Sequence, residues 1–399
     1  ITCRPMKGTT QRGRTAAEDH QRAEWLRRSP KNLAENVMIV DMVRNDLGRI
    51  AEIGTVRVPE LFRTERYPTL WQMTSTVTAR TSASIAEIFT ALFPCASITG
   101  APKVSTMQII AELETTPRGI YTGSIGYISP ERKAKFNVAI RTAAIDPESQ
   151  TVEYGVGGGI VWDSTSRDEY DEALLKARVL MEPPPAFSLI ETMLWTPEEG
   201  FFLGEKHLRR LLDSADYFDI PMRREILQSY LAAISSRYHS AHEPQRVRIL
   251  LDQAGYLDFE SRPFERVESD KPLAVCLSKQ PVDSGNVFLY HKTTQRSVYE
   301  RSREGCEGYE DILLYNERGE LTEFTIGNLV AELEGQLVTP PVSCGLLPGI
   351  FRASLLETAQ VMEQVIPVER LSDCTRIFRV NSVRRWQEVE LRPELRKVS

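Results

Sequence analysis

YHKTTQR (290–296), LTEFTIGN (321–328) and GLLPGIFR (345–352) are the stretches that decide the fold of the second half of this 399-residue chain. Lys292 closes the apparent strand VFLYH (287–291), a rigid platform from which an amine can enter a pocket. Glu323 lies in GELTEFTIGNLV (319–330), with Thr325 and Asn328 close by. GLLPGIFR gives a Gly-Pro-Gly loop running into an expected helix, ASLLETAQVM (353–362), whose free N-terminal N–H groups suit an anion. Arg210, in HLRRLL (207–212), offers a counter-charge.

Singly these features are ordinary: a lysine after a strand is usually solvated, and GLLPG alone is a helix start with turn residues. Together they supply what pyridoxal 5'-phosphate needs, namely a lysine for its aldehyde, an acid for its ring nitrogen and an anion cradle for its phosphate. The ordered set ETM, HLRRL, YHKTT, LTEFTIGN, GLLPGIFR and RVNSVRRW (379–386) resembles the class IV, or fold type IV, pyridoxal-phosphate family. That family includes branched-chain aminotransferases, D-amino-acid aminotransferases and 4-amino-4-deoxychorismate lyases. The resemblance implies that Lys292 bonds the cofactor and acts as the catalytic base, and that Glu323 holds the pyridine nitrogen. It further implies that Arg210, Asn328, Gly349 and Ile350 with its neighbouring backbone complete the cofactor site.

Outward from this region, composition sets the bounds. Apolar residues make up 41% and charged residues 26%, as in soluble globular proteins. The length suggests two domains. The net charge of −6 is spread without long blocks, which argues against nucleic acid or an anionic membrane as partner. Six scattered cysteines without a CxxC pair fit a reducing cytoplasm. No apolar run approaches the roughly 20 residues of a membrane span. The N-terminus has no apolar signal region and no initiator Met, so the sequence reads as part of a longer polypeptide. His239 and His242 are read as surface residues.

MEPPPAF (181–187) marks the seam. The expected division is 1–180, a Pro-rich linker at 181–186, and 187–399. Before the seam, VMIVDMV (37–43) and FNVAIRTAAI (136–145) read as strands, and SIAEIFTALF (84–93) and KVSTMQIIAELE (103–114) as helices. After it, 207–218 and 224–238 read as helices, and RVRILLD (246–252), LAVCLS (273–278) and DILLYN (311–316) as strands. Both halves are mixed, an α/β (α+β) chain.

Four segments of the first half combine glycine with polar groups: PMKGTTQRGRT (5–15), KNLAENVMIVDMVRNDLGR (31–49), ITGAPK (98–103) and YGVGGGIVWDSTSRDEYDEALLKA (154–177). The glycine run can bring backbone N–H groups to an anion. Glu169, Glu172 and Lys176 then share one face of the helix that follows. These segments resemble the chorismate-utilising enzymes, in their aminodeoxychorismate synthase component I branch, over nearly all of residues 4–180. The resemblance implies a partial chorismate-binding fold with Glu35, Glu169 and Glu172 at a Mg2+ ion. Thr99, Tyr121, Arg141, Gly157, Gly158 and Lys176 would contact the substrate. Lys7 matches the lysine proposed in that branch to attack C2 of chorismate. Asn32 and Gln72 depart from many relatives, and the family's general-acid glutamate is expected upstream of PMKGT.

Joined, the two resemblances imply the 4-aminobenzoate branch of folate synthesis. Chorismate would be aminated to 4-amino-4-deoxychorismate with ammonia from a glutamine amidotransferase, and pyruvate would then be eliminated, with a homodimer expected through the second half. The competing expectation is a class IV amino-acid aminotransferase carrying a non-catalytic chorismate-binding remnant.

Overall fold

The apolar and capping patterns of the chain build two compact units, Ile1–Arg12 with Gln21–Pro184, and Gly13–His20 with Pro185–Ser399. The computed structural model describes residues 1–131, 133–160, 162, 164–181, 185–238, 243–265 and 271–392. His239 and His242, and residues 182–184 of the Pro-rich linker, lie outside the described residues.

In the first unit β1 (Thr2–Cys3) and β2 (Met6–Gln11) pair with one edge of β4 (Leu70–Thr78), and β3 (Arg57–Arg66) pairs with the other. Helices α1 (Ala16–Arg28) and α2 (Pro30–Gly48) lie between β2 and β3 in sequence. VMIVDMV, expected as a strand, is the middle of α2. Its β-branched run mimics a strand, but Ser29 caps the helix, Pro30 occupies its first turn, and the buried residues Asn36, Ile39, Val40 and Leu47 recur at helical spacing. Val40 and Leu47 pack on Val77 and Ala79.

Next come α3 (Ile85–Leu92), opened by a Ser84–Glu87 capping box, α4 (Ala96–Thr99) and α5 (Lys103–Leu113). FNVAIRTAAI is not one strand: it ends one two-stranded hairpin, β5 (Ser124–Ile128) with β6 (Ala134–Val138), and begins another, β7 (Ala143–Asp146) with β8 (Thr151–Tyr154). The unit closes with α6 (Ser166–Met181).

The second unit holds two sheets. In the smaller, β9 (Leu189–Thr196) lies between β10 (Gly200–Phe201) and β11 (Gln245–Leu251), and β12 (Leu257–Pro263) follows β11. Alternation sends Met193, Trp195, Val247, Ile249 and Leu251 to one face, where they meet Leu208, Leu211, Leu227 and Leu231 of α7 (Gly204–Tyr217) and α8 (Arg224–Arg237).

The larger sheet contains β13 (Leu273–Leu277), β14 (Asp311–Tyr315), β15 (Leu321–Phe324), β16 (Gly327–Leu333), β17 (Gln336–Thr339), β18 (Met362–Glu363), β19 (Arg376–Asn381) and β20 (Arg385–Leu391). Its order is β15-β14-β13-β20-β19-β16-β17-β18, and the β15–β16 hairpin closes six of these strands into a ring. The ring is filled by Val275, Leu313, Phe324, Leu329 and Ala331. Two short helices, α9 (Ser297–Arg303) and α10 (Ile350–Glu357), flank it.

VFLYH is not a strand either. Asn286 accepts the Phe288 N–H and starts a single 3₁₀ turn over Val287–Leu289. Among the described residues no single helix is long and apolar enough to cross a membrane.

Candidate active site

Lys292 is fixed by β9 rather than by a strand of its own. Leu189 and Thr293 form an antiparallel bridge, the Ile190 N–H donates to the Lys292 carbonyl at 2.8 Å, and the Thr294 N–H donates to the Ser188 carbonyl at 2.8 Å. The lysine side chain makes no hydrogen bond or ion pair with any described residue. It is half-buried among four charged groups, and desolvation, then Arg210 and Arg296, outweigh Glu191 and Glu323 to bring its pKa down to about 8. A substantial share of this amine is therefore neutral near pH 7.5.

Glu323 is directly opposite Asn328 in the β15–β16 hairpin. Tyr299 of α9 donates its hydroxyl to Glu323 Oε1 at 2.8 Å, and Asn328 Nδ2 donates to Oε2 at 3.1 Å. Burial pushes the Glu323 carboxyl up to about 8 despite the opposing bonds from Tyr299 and the Leu347 N–H. The Tyr299 phenol is itself raised well above 10 by burial and by Glu323. Arg296 lies 4.5 Å from the centre of the Tyr299 ring and donates to the Thr325 carbonyl at 2.5 Å.

Arg210 projects from α7 to the GLLPG loop, where Nη1 donates to the Pro348 carbonyl at 3.1 Å. Its Nε and Nη2 grip both oxygens of Glu191 at 2.8 and 2.7 Å. Three of its five N–H donors are thus committed and two remain. Desolvation works against the buried Glu191 carboxylate, but Arg210 and His207 prevail and hold it near 2. Since an ionised carboxylate only accepts, the 2.6 Å contact with His207 places the proton on Nδ1. His207 Nε2 is buried with no partner among the described residues. Burial lowers the His207 pKa, so the ring is neutral near pH 7.

Gly349 caps α10 with an extended backbone and no side-chain bond, leaving the first N–H groups of the helix free of a side-chain acceptor. A Cβ there would come within 1.8 Å of Asn328 Oδ1, so only glycine lets the loop pass Asn328. Asn328 Nδ2 also binds the Leu347 carbonyl at 2.8 Å.

A lysine able to lose its proton, an acid buried at a hairpin turn and a helix start that no side chain caps fit pyridoxal phosphate. Lys292, Glu323, Asn328, Arg210 and the Gly349–Ile350 turn would hold it. Glu191, His207, Arg296 and Tyr299 were not singled out in the sequence, although Glu191 carries a signal, an acid inside the mostly apolar LIETMLW.

In the first unit, Lys7 Nζ is 3.6 Å from Glu35 Oε2. Lys176 bonds Glu172 Oε1 at 2.5 Å and the Gly157 carbonyl at 2.8 Å. Ser164 donates to Glu169 at 2.6 Å. The glycine run passes closely: a Cβ on Gly158 would meet Glu169 Oε2 at 2.5 Å, one on Gly159 would meet Lys7 Nζ at 3.2 Å, and one on Gly157 would meet the Tyr121 hydroxyl at 3.0 Å. Lys7, Glu35, Tyr121, Glu169, Glu172 and Lys176 are thus gathered around residues 157–159. Thr99 bonds only local carbonyls, and Arg141 is exposed at a positive φ of 53°. No group of three or more metal-ligating side chains forms among the described residues. A magnesium ion would have to displace Lys7 from Glu35 and Lys176 from Glu172. As placed, the three glutamates do not fit it.

Comparison with known proteins adds relatives on both sides of the seam. Residues 1–182 match the family model of chorismate binding enzymes, and residues 188–391 match that of class IV amino-transferases. An aminodeoxychorismate synthase of Streptomyces griseus is 45% identical over 181 residues, covering 45% of this chain and 25% of that protein. Anthranilate synthase component 1 of Aquifex aeolicus is 43% identical over 184 residues, covering 46% and 37%. The chain therefore spans about a quarter to a little over a third of these curated relatives. Among solved structures, a putative amino-acid aminotransferase from Mesorhizobium loti is 33% identical, with a TM-score of 0.48, covering 52% of this chain and all of that one. The protein belongs to the class IV aminotransferase family through residues 188–391, and the segment that matches the chorismate binding enzymes, residues 1–182, precedes that region.

Proposed function

We propose that the second unit converts 4-amino-4-deoxychorismate to 4-aminobenzoate and pyruvate, and that the first belongs to a chorismate-aminating site supplied with ammonia by a glutamine amidotransferase. The observation that carries this is the half-buried, unpaired Lys292 facing Glu323, in a class IV chain that follows a chorismate-binding segment. Lys7, gathered with the glycine run, supports the aminating branch over anthranilate formation, although both kinds of relative match the segment equally well.

Bound pyridoxal phosphate supplies an electron sink for the carbon that bears the substrate's amine. Lys292 Nζ, neutral in good part near pH 7.5, removes the proton from C4 of the substrate. Cleavage of the C3–O bond then releases the enolate of pyruvate, which takes up a proton to become pyruvate, and the ring becomes aromatic. Glu323, steadied by Tyr299 and Asn328, holds the cofactor's ring nitrogen. Arg210 and the start of α10 hold its phosphate, with Glu191 keeping the Arg210 fork in place.

The second reading, amino-acid transamination, is favoured by the match of residues 188–391 to the class IV amino-transferases. Incubating the protein with aminodeoxychorismate, and separately with pairs of amino acids and 2-oxo acids, separates the two. Stoichiometric 4-aminobenzoate and pyruvate, lost in Lys292→Ala, supports the lyase. Amino transfer without pyruvate release refutes it.

A further inference from the structure

On β11, Arg246 and Arg248 project to the face opposite Val247, Ile249 and Leu251, which are buried under α7 and α8. The β11–β12 ladder places Arg246 directly opposite Arg262 and Arg248 opposite Glu260. Like charges directly opposite each other destabilise a strand pair. A fourth guanidinium, Arg384, enters from the turn between β19 and β20 and sits 5.5 Å from the ring centre of Phe264, two residues beyond Arg262 on the same face. The Arg246 guanidinium is held below its ordinary range by burial and then by Arg248, Arg262 and Arg384, with Glu260 opposing. Among the described residues, none of the four arginines makes an ion pair, whereas Arg210, Arg318, Arg352, Arg376 and Arg379 of the same unit all reach carboxylates.

Both edges of this face lead to the candidate active site. Leu250 lies on it two residues from Arg248, about 7 Å along the strand. Leu250 pairs with Ile190, whose amide holds the Lys292 carbonyl. On the other side, Asn381 Nδ2 donates to the Ile326 carbonyl at 3.2 Å, in the turn joining Glu323 to Asn328, while Asn381 Oδ1 accepts the backbone N–H groups of Val383 and Arg384. The backbone segments that carry Lys292 and Glu323 therefore border the arginines.

We propose that Arg246, Arg248, Arg262 and Arg384 form an anion-binding face that seats the carboxylates of a small dianionic substrate of the Lys292 site. Four guanidiniums against one carboxylate repel one another until an anion arrives, and arginine forks match carboxylates bidentately. The inference rests on the reading of Lys292 given above and deepens it, because it selects dicarboxylates over ordinary amino acids.

The test is calorimetric titration of the cofactor-loaded protein with benzene-1,3-dicarboxylate, benzoate and inorganic phosphate. Wild type is expected to bind the dicarboxylate at least tenfold more tightly than benzoate or phosphate. Arg246→Gln with Arg248→Gln, and separately Arg384→Gln at its exposed turn, should each weaken dicarboxylate binding at least tenfold and leave the cofactor's visible absorbance unchanged. Arg376→Gln, whose partner is Glu388, should bind like wild type. Wild-type affinity in the arginine variants, or phosphate binding as tightly as the dicarboxylate, overturns the proposal. Loss of the visible band in the unaltered protein overturns the reading of Lys292 instead, and calorimetry scores the arginine face independently of that band.

Discussion

At the scale of single residues, the site is a set of opposed titrations. The Glu191 carboxyl sits near 2 in the folded chain against an ordinary 4.5. Its contribution to stability is complete above about pH 4.5 and is lost as the pH falls toward 2, a change on the order of 3 kcal/mol. Glu191→Gln leaves Arg210 buried without its counter-charge and should cost about 3 kcal/mol in denaturant titrations at pH 7, with weaker cofactor binding.

Glu323 has the opposite sign. Its folded value of about 8 lies above 4.5, so it costs nothing below about pH 4.5, and the cost grows until it is complete above pH 8. Cofactor-free Glu323→Gln should therefore match wild type at pH 4 and exceed it in stability at pH 9, while binding pyridoxal phosphate less tightly. Equal stability at both pH values would contradict this account of the Glu323 environment. Lys292, lowered to about 8, carries its cost below pH 8 and sheds it as the pH rises toward 10.5.

At the scale of elements, the β15–β16 hairpin and the α10 cap work as one device, because Asn328 bonds both Glu323 and the Leu347 carbonyl. Gly349→Ala would drive a methyl group into Asn328 Oδ1. It should cost about 1–3 kcal/mol through broken buried hydrogen bonds, and raise the Kd for pyridoxal phosphate more than a change at exposed Glu300 does. The amphipathic helices α7 and α8 and the strands β11, β13 and β14 were legible because their apolar periods match their burial. VMIVDMV and VFLYH were not, because β-branched and aromatic runs carry strand propensity in any context. The caps that override it, Ser29 before α2 and Asn286 before the 3₁₀ turn, act from outside the run. Lys292, Glu323 and Arg210 were visible as motifs. Their supporting partners Tyr299, Arg296 and His207 were not, since each meets the site only through folding.

At the scale of the molecule, the two units differ in how much core they own. Among the described residues, the second contains four clusters of buried apolar side chains, whereas the first has one, around Val40, Leu47 and Val77. Its hairpins β5–β6 and β7–β8 each expose large apolar residues, among them Ile125, Tyr127, Ile145 and Val152, and two-stranded sheets are marginal alone in water. Calorimetric scans should show the first unit unfolding at lower temperature. Pyridoxal phosphate at a hundred times its Kd should stabilise only the later transition, by about 2.7 kcal/mol. A shift in the earlier transition alone would place the cofactor in the wrong unit.

The most direct test of the central claim is borohydride reduction of the pyridoxal-phosphate-loaded protein, followed by peptide mass mapping. One phosphopyridoxyl mass addition is expected, on the peptide containing Lys292, and it should be absent in Lys292→Ala. Modification of a different lysine, or none, would contradict the claim.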